Sequence, residues 1–272
     1  MGMYDNINGA LIGNYQLAGF GNNIPKYFQL DVGIPVGKTG LYLGPTILYD
    51  NIGVFNKTRI GLNIAYRIKL SVKHYLTFGL NGSAVMANGN IGSVNTTDPN
   101  DPSFTGTVNG IWNPDIKLGA HYFTDNFQIG FNVGNIFVNK FWDTGSGPTN
   151  EIRINAKDMH FYLMGGWQKK IGRNWKIKPN VLIKFIPNSP LQIDVNANVV
   201  FKDMLGFGVS YRTINTLVFN ANFTISKVLV IGYAFNWGVG YESRTNYTGH
   251  EVILAFRVRN PKRIIPVDVP RF

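Results

Sequence analysis

Residues 61–70 read Gly-Leu-Asn-Ile-Ala-Tyr-Arg-Ile-Lys-Leu. Leu62, Ile64, Tyr66, Ile68 and Leu70 share one parity, and Gly61, Asn63, Ala65, Arg67 and Lys69 the other. Strand side chains alternate between two faces, so this segment has one greasy face and one polar, partly charged face. The same alternation returns along nearly the whole chain. Phe28, Leu30, Val32, Ile34 and Val36 interleave with Gln29, Asp31, Gly33 and Pro35. Leu191, Ile193, Val195, Ala197, Val199 and Phe201 interleave with Gln192, Asp194, Asn196 and Asn198. A long series of such strands fits a membrane-spanning antiparallel β-barrel, apolar outside and wet inside.

The remaining composition narrows the alternatives. The 272 residues suffice for one large all-β domain or two ordinary ones. Apolar residues make up 44%, the mean hydropathy is near zero, and no run of about 18 apolar residues exists, which disfavours helical membrane spans. A barrel hides its membrane signal in alternation, so mean hydropathy does not exclude one. The 19 Phe, 13 Tyr, 5 Trp and 31 Gly suit barrel strands with aromatic girdles. The absence of Cys removes disulfides, thiol catalysis and Cys-based metal sites. The net charge of +11 points to anionic lipid, an acidic partner or nucleic acid. No signal peptide is recognisable, so a barrel reading expects the numbering to describe a mature or trimmed form.

About fourteen strands are expected, each near the roughly 9–11 residues that a tilted membrane strand needs. They fall near 8–19, 26–36, 39–49, 58–70, 74–86, 114–123, 126–137, 157–170, 174–186, 190–201, 205–213, 216–225, 228–238 and 248–259. Connection lengths segregate by parity. The even ones are short: Gly37-Lys38, Ser71 to Lys73, Thr124-Asp125, Ile171 to Arg173, Lys202 to Met204 and Ser226-Lys227. The odd ones include all the long ones: 50–57, 87–113, 138–156 and 239–247. Short periplasmic turns and longer external loops are the habit of outer-membrane barrels, whereas a sandwich or propeller has no reason for this segregation. The expected organisation is one barrel over residues 1–259, in an up-and-down order, and a tail over 260–272. Pro261, Pro266 and Pro270 keep that tail out of the sheet.

Catalytic and metal signals are weak. His74, His121, His160 and His250 show no metal-ligand spacing, and each reads first as a hydrogen-bonded structural histidine. Approach of Ser210 to His160 would be the start of a hydrolase site, but no spacing requires it. No Gly-x-Ser-x-Gly, Walker A or Gly-x-Gly-x-x-Gly signature is present. No catalytic residue, cofactor or metal is therefore expected, and Asp98-Pro-Asn-Asp101-Pro reads as a Pro-rich external loop before it reads as a calcium site.

The basic residues carry more. By alternation Arg59, Arg67, Lys69, Lys117, Lys176, Lys178, Lys184, Arg212, Arg257 and Arg259 point into the lumen. Lys38, Lys73, Lys169, Lys170, Arg173, Lys202 and Lys227 lie in or beside the short turns. Two readings stand. A basic lumen and periplasmic rim attract an anionic solute or an acidic partner segment. Alternatively, lumen charges pair with Asp31, Asp115, Asp194 and Glu251 while turn lysines are merely solvated. No nucleic-acid partner is expected, because the bases are spread over many strands without a recognition element. Aromatic residues near strand ends, among them Tyr49, Tyr66, Tyr75, Trp112, Phe123, Trp175 and Trp237, read as interfacial belts.

The order of segments resembles a known family. It is carried by Gly40-Leu-Tyr-Leu-Gly-Pro-Thr-Ile-Leu-Tyr-Asp-Asn-Ile-Gly53, Ile64-Ala-Tyr-Arg-Ile-Lys-Leu70 and Leu76-Thr-Phe-Gly-Leu80. It continues through Asp101-Pro-Ser-Phe104, Asn113-Pro-Asp-Ile-Lys-Leu-Gly-Ala120, Phe127-Gln-Ile-Gly-Phe131, Trp175-Lys-Ile-Lys-Pro179 and Pro190-Leu-Gln-Ile-Asp-Val-Asn196. It closes with Leu205-Gly-Phe-Gly-Val-Ser-Tyr-Arg212, Val230-Ile-Gly-Tyr-Ala234 and Gly249-His-Glu-Val-Ile-Leu254. Over about residues 24–258 the chain resembles the PorP/SprF outer-membrane proteins of the type IX secretion system and gliding motility in Bacteroidetes. It departs at the start, where Met1-Gly-Met-Tyr-Asp-Asn-Ile-Asn8 stands in place of the family's Gln-rich and Asn-Pro-Ala-Tyr-type segments. The resemblance implies a non-enzymatic barrel in the outer membrane of a Gram-negative bacterium. Its implied partners are a secreted cargo, such as a surface adhesin's C-terminal targeting domain, and periplasmic secretion-ring proteins. The alternatives are a porin or transporter with a basic, anion-attracting lumen, an outer-membrane hydrolase and a soluble β protein.

Overall fold

The computed structural model describes residues 6–16, 26–93, 107–143, 147–213, 215–226, 228–239 and 248–258. Alternating apolar and polar residues, rich in β-branched and aromatic types, build seventeen strands among the described residues. The first seven are β1 (Ile7–Gln16), β2 (Lys26–Val36), β3 (Leu41–Ile52), β4 (Phe55–Lys69), β5 (Tyr75–Asn90), β6 (Thr107–Phe123) and β7 (Phe127–Gly134). Then come β8 (Phe137–Asp143), β9 (Gly147–Ile154), β10 (His160–Trp167), β11 (Lys169–Ile171) and β12 (Trp175–Phe185). The last five are β13 (Gln192–Phe201), β14 (Leu205–Arg212), β15 (Thr216–Thr224), β16 (Leu229–Gly238) and β17 (Thr248–Val258).

Sequential neighbours pair antiparallel, β7 pairs with β10, and β10 with β12. The sheet closes where β1 meets β17, from Ile7 opposite Val258 to Gln16 opposite Gly249. β11 prolongs β10 along β12, so the wall is a closed antiparallel barrel of 14 strands. That is the expected fold class. Closure leaves no long edge in lipid, where an unpaired N–H or C=O is costly.

Two loops differ from expectation. The segment read as the connection 138–156 contains the separate β8–β9 hairpin. The segment read as the connection 87–113 is partly strand, because β5 and β6 run 16 and 17 residues. Those lengths exceed what a bilayer needs, so the pair projects past the wall at the long-loop end. There Val85, Ala87, Ile91 and Val108 pack into a small apolar core of their own. In the sequence the stretch reads as a loop because its Gly and Asn residues weaken any alternation signal.

Face assignment follows parity. Along β4, Leu62, Ile64, Tyr66 and Ile68 are 37–52% exposed on the outside, while Ala65 is 4% exposed on the inside. In a membrane the outer set meets acyl chains rather than water. At the short-turn end, Gly40 has φ +81°, and a Cβ there would sit 2.6 Å from the Arg67 carbonyl oxygen. Only glycine fits, and the close approach lets Arg67 N–H donate to the Gly40 carbonyl at 2.8 Å.

Candidate functional site

The inner wall over β3 to β7 is closely covered. Tyr42, Phe123, Gln128, Asn113 and Asp115, all of inward parity, are each at most 1% exposed. Such burial inside a wide barrel means that other groups lie against the wall. Near the short turns these groups are aromatic. The Tyr75 and Phe123 rings stack at 5.3 Å, His121 stacks on Phe123 at 5.3 Å, and the Arg67 guanidinium lies 5.2 Å from the rings of Tyr42 and Tyr75. Tyr75 and Phe123 thus lie inside the barrel and not in the expected interfacial belt. Parity was the available signal, since each adjoins an outward residue, Leu76 and Tyr122. Tyr49, Tyr66, Trp112, Trp175 and Trp237 do stand outside, 38–52% exposed.

Higher in the barrel the cover is ionic and backbone-made. Arg59 Nη2 lies 2.9 Å from Asp115 Oδ2. The Phe137 backbone N–H also lies close to the Asp115 carboxylate. Asp115 faces the lumen, so this proximity puts the start of β8 on the inner side of the wall. β8 and β9 both lie against β6, whose residues 107–117 extend beyond the reach of β7.

The expected lumen bases do not converge on one patch. They are spread round the barrel on β4, β6, β12, β14 and β17. Arg59 is paired as above. Arg212 Nε donates to Asp194 Oδ2 at 3.0 Å, and Lys176 Nζ meets Asp203 Oδ1 at 2.6 Å. Lys178 is buried beside it on β12, and Arg67 is held between aromatic rings. Lys117, Lys184 and Arg257 are half-buried. Lys69 is exposed at the rim rather than enclosed. Arg259 lies outside the described residues. Of the acids considered as partners, Asp115 and Asp194 take ion pairs, Asp31 accepts from Gln29, and Glu251 accepts from Asn14 at 3.4 Å.

Among the turn bases, Lys38, Lys169, Lys170, Arg173 and Lys202 are exposed. Lys73 Nζ is 3.1 Å from Asp125 Oδ2. Lys227 lies outside the described residues. Asp125 and Asp203 were missed in the sequence because nothing local marks a partner on another turn or strand. The Lys202-Asp203 pair forms a turn with both φ positive, 49° and 57°, closed by Met204 N–H to the Phe201 carbonyl at 3.0 Å. That backbone strains non-glycine residues. The Asp203–Lys176 contact helps to hold it.

The histidines are all engaged. His74 meets the Tyr122 hydroxyl, His121 Nε2 meets Gln128 Oε1 at 3.2 Å, His160 lies 3.1 Å from Asn135 Nδ2, and His250 Nδ1 is 2.6 Å from the Tyr233 hydroxyl. His160 and Ser210 sit on strands separated by β12 and β13, and Ser210 donates instead to Asn196. Among the described residues no group of three His, Asp or Glu gathers as a metal site.

Comparison with known proteins decides the family. The family described as type IX secretion system membrane protein PorP/SprF matches residues 1–256. The chain belongs to this family. No curated protein sequence matches it. Solved structures share the architecture. The CymD monoaromatic hydrocarbon channel superposes with a TM-score of 0.58 at 11% identity, covering 95% of this chain and 89% of CymD. A TodX monoaromatic hydrocarbon channel mutant reaches 0.54 at 8% identity over 93% and 90%. The Acinetobacter baumannii outer-membrane protein Omp33 reaches 0.51 at 10% identity over 93% and 99%. At such identities the likeness shows the fold alone. This PorP/SprF member is an outer-membrane β-barrel.

Proposed function

We propose that this PorP/SprF barrel is a non-enzymatic accessory component of the type IX secretion system. Its long-loop end engages a secreted cargo domain, such as the targeting domain of a surface adhesin. Its short-turn end, the periplasmic one in barrels of this class, engages components of the secretion ring. Family membership over residues 1–256 carries the reading. The covered inner wall and the exposed bases on the short turns support it, since both suit protein contacts better than free solute flow.

A second reading is a porin with an anion-attracting lumen. It is favoured by Lys117 and Lys184, which face the interior without an ion pair among the described residues. One experiment separates the two. The protein is tagged in its native host, purified from detergent-solubilised envelope, and its companions are identified by mass spectrometry. Ring components or a large adhesin uphold the accessory reading. The barrel alone, with anion-selective conductance in planar bilayers, upholds the porin.

A further inference from the structure

Among the described residues, β11 is paired along one flank only, to β12. β10 is paired on both flanks, to β7 as far as Trp167 opposite Phe127 and to β12. Past that point Gln168 ties back to the β7 side, its N–H donating to the Asn126 carbonyl at 2.8 Å and its Nε2 to the Asp125 carbonyl at 2.6 Å. The β7 chain then turns away. Lys169, Lys170 and Ile171 continue along β12 alone, opposite Ile177, Lys176 and Trp175. They form about 10 Å of strand at roughly 3.3 Å per residue, standing proud of the rim.

This projection is braced on its other flank. Trp175 pairs with Phe201 on β13, and the Lys202 N–H donates to the Asn174 carbonyl at 2.6 Å. The lip is therefore a supported edge whose open side carries the Lys170 N–H and C=O, since Gln168 already faces that side and alternate strand residues point their backbone groups the same way. All three residues of β11 are exposed, Ile171 at 49%. Lys169, Lys170 and the adjacent Arg173 have no acid partner among the described residues, while the nearby Asp125 and Asp203 are already held by Lys73 and Lys176.

From this we infer that the β11 edge is a strand-addition site for an acidic, extended segment of a periplasmic protein. Main-chain bonds to Lys170 supply the pairing, and Lys169, Lys170 and Arg173 select for carboxylates. The charge argues for this occupant over a second copy of the chain, because two lysine edges repel and lysines on an edge strand block self-pairing. The inference rests on the accessory reading and gives its periplasmic contact a chemistry and a place.

The test uses the full-length barrel in phosphatidylcholine nanodiscs and a fluorescent peptide of alternating Glu and Val, with anisotropy as the readout. Controls are a Lys-Val peptide and an acidic peptide of equal charge with Pro at alternate positions, which cannot pair as a strand. The expected result is binding of the Glu-Val peptide alone, weakened about tenfold in the K169E/K170E variant. The milder K169Q/K170Q variant gives an intermediate loss, and both variants are checked for the heat-dependent gel mobility of a folded barrel. Equal binding of the Pro-containing peptide overturns strand addition, and binding unchanged in K169E/K170E overturns the site. Displacement of the peptide by phosphatidylglycerol vesicles overturns it in favour of a lipid surface. None of these outcomes bears on recovery of companions from the native envelope, so failure here and failure of the accessory reading are told apart.

Discussion

Arg59 and Asp115 meet inside the barrel across the intervening strand β5, Nη2 to Oδ2 at 2.9 Å, their side chains 17% and 1% exposed. The Phe137 N–H lies close to the same carboxylate, so one buried ion pair ties two wall strands beside the start of the β8–β9 hairpin. Removing one partner strands the other in a region of low dielectric. Arg59→Met is expected to cost about 3–5 kcal/mol, whereas R59M/D115L, which removes both charges, costs much less. Urea unfolding in micelles, followed by tryptophan fluorescence, gives the two values. Equal losses would mean that the charges do not act as a pair.

Arg67 lies 5.2 Å from the ring centroids of both Tyr42 and Tyr75, which packs the short-turn end of the lumen. Arg67→Gln is expected to lower stability by about 1–3 kcal/mol, from two partly desolvated cation–π contacts. Arg67→Lys keeps the charge but loses the planar stacking, and should fall between wild type and Arg67→Gln in thermal melts. The order of the three midpoints is the check.

The strained turn at Lys202-Asp203 separates backbone from side-chain effects. Lys202→Asn relaxes a left-handed residue and is expected to raise stability by about 0.5–1 kcal/mol. Asp203→Gly relaxes its neighbour equally but deprives buried Lys176 of its 2.6 Å partner, so the net change is a loss. Melting both variants beside wild type tests the sign of each.

Two adjacent residues of β13 test the faces. Val195 is 55% exposed outside, and Asn196 faces the lumen beside Ser210. Val195→Arg puts a charge against lipid at a cost of roughly 2–4 kcal/mol near the midplane. Asn196→Arg is far milder. Folding yields into lipid vesicles of defined thickness measure both, and equal yields would refute the assignment.

Much of this architecture is legible in one dimension. Strand alternation depends only on local geometry, so the fourteen wall strands and the outward set Leu62, Ile64, Tyr66 and Ile68 could be read from spacing alone. Loop parity marked the two ends for the same reason. Where the alternation was broken, as between Ala87 and Asn113, the reading shortened β5 and β6. The β8–β9 hairpin was lost with it, because glycine- and asparagine-rich segments fold by pairing with whatever lies beside them.

Parity says which way a residue points and not what it meets. The sequence alone determined that Arg59, Lys176 and Arg212 face inward and that Lys169 and Lys170 sit at a short turn. Only the tertiary structure decided that these inward bases find Asp115, Asp203 and Asp194, and that Lys169 and Lys170 lie on an open edge. The reason is closure. The register between β4, β5 and β6, and the pairing of β1 with β17, join residues far apart in the chain. No local periodicity encodes those distances.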